Sequence, residues 1–168
     1  MNNSKYPLLI YYFVVIISLV IPVFYYNRLP EEIASHFNAS GRVDGWMNKN
    51  TYFLTYYLVI LSIAVMFSVI NLFLNRIPEK MINLPNKKYW LDPARKEESI
   101  NSIKNFIYWL GTLTLTFILL VFREVYIANM NRTYDLGNTM WIYLIILLAA
   151  VTYTVIKMYS RYNKIGNQ

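Results

Sequence analysis

The chain has 168 residues, of which 57% are hydrophobic and only 15% are charged, and its formal net charge is +7. A charged fraction so far below the roughly 25% of soluble proteins excludes an ordinary soluble domain. The lack of cysteine excludes disulfides and thiolate metal sites. With no soluble basic module in the chain, binding to nucleic acid is excluded as well.

Four long apolar runs organise the sequence. They lie at about 7–26, 52–74, 105–127 and 138–158. Each is long enough for the roughly 17–25 residues that a helix needs to cross a bilayer, and none alternates like a barrel strand. The sequence therefore predicts one all-α membrane domain over residues 1–168, folded as a four-transmembrane-helix bundle with short connections.

A polar segment, LPEEIASHFNASGRVDGW, joins the first two spans. Pro30 suits the first turn of a helix, and Leu29, Ile33 and Phe37 recur four residues apart. The pattern predicts a short surface helix from Pro30 to about Phe37 on the outer side of the membrane, followed by a glycine-containing turn.

The same segment carries three candidate ligands, one of which is the single histidine of the chain. On a helix Glu32 and His36 share one face, and Asp44 can fold back towards them across the turn. Such a trio can hold a divalent metal with water, or it can form a salt-bridged structural knot. With one histidine and no cysteine we expect the knot, with no bound metal and no other cofactor.

The loop after the second span contains a predicted helix start and, before it, a segment of two basic and two aromatic residues. Asp92 and Pro93 predict the start of a cytoplasmic interfacial helix that continues through Ile100 into the third span. The preceding segment mixes cations with aromatic rings, as membrane-surface segments do. It serves either as an interfacial anchor or as a docking surface for a cytoplasmic protein partner, and it consists of Lys87, Lys88, Tyr89 and Trp90.

Arg123 and Glu124 interrupt the third apolar run. At 1.5 Å per residue the pair lies about 27 Å from the start of that span, near the outer edge of the hydrocarbon. Charged residues at this depth either face protein or extend to the lipid phosphates. The two alternatives are contact with the polar segment between the first two spans and simple snorkelling of Arg123.

The distribution of basic residues predicts the orientation. Eleven of the 16 lysines and arginines fall on the side of the two termini and the 75–104 loop, and five on the other side. Because basic flanks stay in the cytoplasm, both termini are expected there, in a multi-pass protein of the cell membrane. Basic residues near the surface also contact anionic membrane lipids.

The segment LPEEIASHFNASGRVDGWMNK resembles the signature of the uncharacterised membrane domain at the N-terminus of SdpI-type immunity proteins. INLPNKKYWLDPAR is similar to the cytoplasmic loop of short, stand-alone members of that family, and the signature region is about 7–50. The resemblance implies immunity to a secreted peptide toxin and sequestration of a cytoplasmic protein. The matching positions are Leu29, Pro30, Ile33, His36, Asn38, Gly41, Asp44, Trp46 and Lys49.

Three classes of function follow, and the oligomeric state stays open. A binding protein, not an enzyme, ranks first, recognising an extracytoplasmic peptide or lipid-linked ligand. An enzyme acting on a lipid head group through Glu32, His36 and Asp44 ranks second, because no nucleophile accompanies the trio. An accessory transporter subunit ranks last, because no charge lies at mid-span. The candidate ligand-binding residues are Glu32, His36, Asn38, Asp44, Trp46, Arg123 and Glu124.

Overall fold

A computed structural model describes residues 5–164 of the chain, so the extreme termini that were predicted to be cytoplasmic lie outside the described residues. Four helices in it are long and apolar enough to cross a membrane, as the sequence predicts. The elements are α1 (Tyr6–Tyr26), β1 (Glu32–Phe37), β2 (Val43–Asn48), α2 (Lys49–Phe73), α3 (Lys87–Trp90), α4 (Lys96–Met130) and α5 (Thr139–Asn163). Short 3₁₀ turns follow α2 at Leu74–Arg76 and Glu79–Met81.

The segment between α1 and α2 corrects one prediction. It forms an antiparallel hairpin of β1 and β2 rather than a surface helix from Pro30 to Phe37. A helix of eight residues is marginal by itself, because nucleation costs more than so few bonds return. Pairing with β2 gives main-chain groups of the segment their partners and still buries Ile33.

The centre of the bundle is α4, which packs against α1, α2 and α5. Midway along it, Tyr11, Tyr56, Ile60 and Leu115 form a fully buried cluster. Polar atoms there are paired, since the Tyr11 hydroxyl donates to the carbonyl oxygen of Ala64 at 2.7 Å. This cluster packs α1, α2 and α4 together in the middle of the bundle.

The last helix, α5, packs mainly on α4. Its outward face carries large exposed apolar side chains, among them Ile145, Ile146 and Ile156. No residue of its most apolar 18-residue window is buried within the described chain. This helix therefore stands at the side of a three-helix core.

The start of α4 differs slightly from the prediction. The helix begins at Lys96, and Asp92 and Pro93 belong to a turn before it. Asp92 still caps this turn, because its side chain accepts the Ala94 N–H at 3.1 Å and its carbonyl accepts the Lys96 N–H at 2.9 Å. From there α4 runs without a break through Ile100 into the third apolar run, as expected.

Candidate functional site

The hairpin tip closes through a turn that Asn38 builds. Its side-chain oxygen accepts the Ser40 N–H at 2.9 Å and the Arg42 N–H at 3.2 Å, and its own N–H donates to the Arg42 carbonyl. Gly41 completes the turn at φ +80, a left-handed conformation that favours glycine. The Asn38 side chain is therefore occupied by the turn itself.

Irregular pairing in the middle of the hairpin brings His36 and Asp44 together. The register shifts on both sides of His36, so that it lies opposite Gly45. A Cβ on Gly45 would lie 2.9 Å from the His36 Cβ, so glycine provides the space that the imidazole needs. The Nδ1 atom of His36 then hydrogen-bonds to Oδ1 of Asp44, in a pair whose side chains remain well exposed.

Asn129, at the end of α4, fixes β1 to the bundle. Its Oδ1 atom accepts the Ala34 N–H at 2.8 Å, and its Nδ2 atom donates to the Ala34 carbonyl at 3.0 Å. Nδ2 also donates to the Val125 carbonyl at 2.8 Å, which holds the amide in place. Asn129 and Ala34 are both buried, so this side chain replaces the neighbouring strand that β1 lacks on that edge.

Lys49, at the junction of β2 and α2, makes the second attachment. Although buried, its Nζ donates to Oε1 of Glu31 at 2.6 Å and lies 4.9 Å from the centre of the Tyr26 ring. Its N–H donates to the Glu31 carbonyl at 2.8 Å. A lysine with these partners ties the start of the hairpin to the end of α1 and the start of α2.

The loop between α4 and α5 packs along the other edge of the hairpin. Arg42 and Asp135 form an isolated antiparallel bridge, and the Tyr134 ring meets the Trp46 ring edge to face at 4.9 Å. The Trp141 Nε1–H donates to the Ala39 carbonyl at 3.0 Å. The hairpin is thus held from α1, α2, α4, the α4–α5 loop and the first turn of α5, and we call this region the hairpin end.

The structure brings some predicted site residues together and separates others. His36 and Asp44 are bonded, and Trp46 lies on the next part of β2 with 46% of its surface exposed. The predicted shared helical face of Glu32 and His36 is wrong, because four residues of strand separate their Cα atoms by roughly 13 Å rather than about 6 Å. Within residues 5–164 no group of three His, Asp or Glu side chains could hold a metal ion.

Arg123 and Glu124 face α5 rather than the hairpin. Arg123 Nη1 lies 2.6 Å from Oε1 of Glu124, which also accepts the Tyr143 hydroxyl at 2.9 Å. Glu124 lines an open groove of about 340 Å³ with the α4–α5 loop, including Asp135 and Leu136. Glu124 therefore borders the hairpin end through that loop.

At the opposite end of the bundle, the loop before α4 packs on the last turn of α5, and we call this region the loop end. The Trp90 Nε1–H donates to the Tyr162 carbonyl at 2.8 Å, and the Tyr162 hydroxyl donates to the Ser99 carbonyl at 2.9 Å. Of the four predicted partner-binding residues, Trp90 is engaged in this packing and the Tyr89 ring lies 4.0 Å from the Arg95 guanidinium. The other two are Lys87, which is half-buried, and Lys88, which is exposed.

Sequence reasoning missed Asn129, Ala34 and Tyr134, which position the hairpin end. An asparagine in the last turn of a long apolar helix was a usable signal, because an amide buried there needs partners. Those partners lie 95 residues away in the sequence, so the signal could not name them.

Residues 13–60 match the family model described as a domain of unknown function, DUF1648. The matched segment runs from α1 through the whole hairpin into α2, and so contains His36, Asp44 and Trp46. Neither the curated proteins nor the solved structures gave a match to this chain.

Proposed function

We propose that this chain is a multi-pass binding protein of the cell membrane, with its hairpin end outside and both termini in the cytoplasm. The four apolar helices support insertion, since their exposed faces suit lipid and not water. The excess of basic residues at the loop end supports the orientation. In this arrangement the hairpin end recognises an extracytoplasmic peptide or lipid-linked ligand.

The observation that carries the proposal is an exposed polar and aromatic group on a rigid support. The exposed fractions of the His36 and Asp44 side chains are 75% and 43%, so burial does not explain their pairing. Trp46, two residues along β2 from Asp44, adds a half-exposed ring. Asn129 and Lys49 hold the strands beneath, and a binding site gains affinity when its support is already ordered.

The resemblance to SdpI-type immunity proteins suggests the biological setting, and the matched domain of unknown function is compatible with it. In that setting the ligand is a secreted peptide toxin, and Lys87 and Lys88 at the loop end offer charge to a cytoplasmic protein partner. Immunity remains a proposal by analogy, whereas ligand capture rests on the geometry of the hairpin end.

The test compares cells with and without the gene for sensitivity to a panel of secreted peptide toxins and cell-wall antibiotics. If the gene protects, His36→Ala and Asp44→Ala are each expected to abolish protection, while the double variant Lys87→Ala, Lys88→Ala retains it. A membrane-fraction blot of each variant controls for abundance. Normal protection by both hairpin variants at wild-type abundance would refute the assignment of the site.

A further inference from the structure

The register of the hairpin determines which main-chain groups of β2 point away from β1. In an antiparallel pair, opposite residues alternate between exchanging two hydrogen bonds and exchanging none. Ala34 lies opposite Trp46 and gives both its main-chain groups to Asn129. Ala34 and Trp46 are therefore a pair without mutual bonds, and the N–H and C=O of Trp46 point to the free edge of β2.

A second bond fixes the same alternation independently. The Lys49 N–H donates to the Glu31 carbonyl at 2.8 Å, so these residues are a bonded pair just beyond the ladder. Asn48, next to Lys49, then belongs to the class without bonds across the hairpin, and its N–H points to the same edge as the groups of Trp46. Within residues 5–164 the N–H and C=O of Trp46 and the N–H of Asn48 have no hydrogen-bond partner beyond the two strands.

The α4–α5 loop pairs with the first part of this edge and then turns away from it. The Tyr134 carbonyl accepts the Val43 N–H at 3.3 Å, and Asp135 pairs with Arg42. Left-handed backbone at Arg132, φ 54, and at Tyr134, φ 51, accompanies the turn that connects this segment to α4. Within the described residues the main chain of this edge is therefore paired as far as Val43 and unpaired from there towards α2, where the Tyr134 ring contacts only the ring of Trp46.

We propose that this open edge binds an extended peptide segment by strand addition, with the peptide continuing the line that Asp135 begins. The inference rests on the proposed function and deepens it, since it names a peptide as the ligand. The main-chain N–H and C=O of Trp46 lie about 7 Å along the strand from the N–H of Asn48. This is the two-residue repeat of an extended peptide main chain, which a lipid head group does not have. The Trp46 ring and the His36–Asp44 pair then contact the peptide side chains.

Asn48 offers a clean test because its φ is −59, close to the value that proline requires. Asn48→Pro removes the outward N–H without breaking a bond of the hairpin. Asn48→Ala is the matched control, since both variants lose the side chain that accepts the Asn50 N–H at 2.9 Å. The ratio of their affinities isolates the main-chain donor.

The probe is a random library of end-capped octapeptides, selected against the full chain in nanodiscs and counter-selected against empty nanodiscs. We expect the best selected peptide to bind Asn48→Pro about tenfold more weakly than Asn48→Ala, because an acceptor loses its donor and meets the proline ring. N-methylation of every central residue of that peptide should remove binding. Circular dichroism and thermal unfolding of both variants check their folding.

Two outcomes would overturn strand addition: enrichment no greater than on empty nanodiscs, or equal affinity of the two Asn48 variants for the selected peptide. Neither depends on the cellular assay. If protection requires His36 and Asp44 while the Asn48 variants bind alike, the proposed function stands and the edge is not used. If a lipid-linked compound competes with the peptide and N-methylation has no effect, the ligand is a lipid head group and strand addition is wrong.

Discussion

Replacing Asn129 by leucine is expected to release the hairpin from the bundle. The substitution keeps a side chain of similar size at the site, but leucine is apolar and so removes both partners of the Ala34 main chain. Ala34 is fully buried, so its N–H and C=O would lack partners until the strand moves into water. The loss therefore acts first on the hairpin and not on the helices.

The magnitude follows from those two groups. Each buried main-chain group left unpaired costs about 1–3 kcal/mol, so the pair costs about 2–6 kcal/mol. The lower limit corresponds to roughly a 30-fold increase in the opening equilibrium of the hairpin. Because opening exposes the strand locally, the four helices should keep most of their stability.

Hydrogen exchange followed by mass spectrometry, on the protein in nanodiscs, measures this opening. Peptides covering residues 32–48 should exchange at least about 30-fold faster in Asn129→Leu, whereas peptides from α1 and α4 should change little. Asn131→Leu is the control, because this exposed residue follows α4 directly and its side chain bonds nothing within the described part of the chain. Unchanged protection of the hairpin in Asn129→Leu would refute the role of the amide.

Three further predictions concern the orientation and the packing of the hairpin end. Reporter fusions after Asn38 should report the outside of the cell and fusions after Lys88 the inside; the opposite pattern would invalidate the proposed function. Gly41→Ala should lower the thermal unfolding temperature more than Gly137→Ala. A Cβ on residue 41 would lie 2.8 Å from the main chain of Gly137, whereas a Cβ on residue 137 would meet nothing within 4 Å and would cost only the strain of its left-handed backbone. Equal losses would contradict this close approach. Tyr126→Phe should raise the unfolding temperature, since the Tyr126 hydroxyl is buried without a hydrogen-bond partner in the described chain; a clear decrease would show that the hydroxyl has a partner, such as a water molecule.

The four long helices were predictable because each uninterrupted apolar run has the length that a helix needs to cross a bilayer. The hairpin was not predictable from the stripe at Leu29, Ile33 and Phe37. Residues four apart share a face in a helix, but they also share a face in a strand, since four is a multiple of two. The spacing was therefore compatible with both structures, and β2 decided between them.

The candidate site was predictable in composition but not in arrangement. A cluster of polar residues between apolar runs indicated His36 and Asp44, and the structure does pair them. Their pairing depends on the register shifts of the hairpin and on the space at Gly45, which no local pattern specifies. Glu32 was placed beside them only because a helix was assumed.

The attachment of α5 at its two ends has a mechanical consequence. Near its first turn, Trp141 is bonded to the hairpin tip, and near its last turn, Tyr162 is bonded to Trp90 of the loop before α4. Its 25 residues make a stiff rod about 37 Å long between these two joints. Since α5 packs laterally mainly on α4, a tilt of this rod that shifted the tip of the hairpin would also displace the loop at the other end of the bundle.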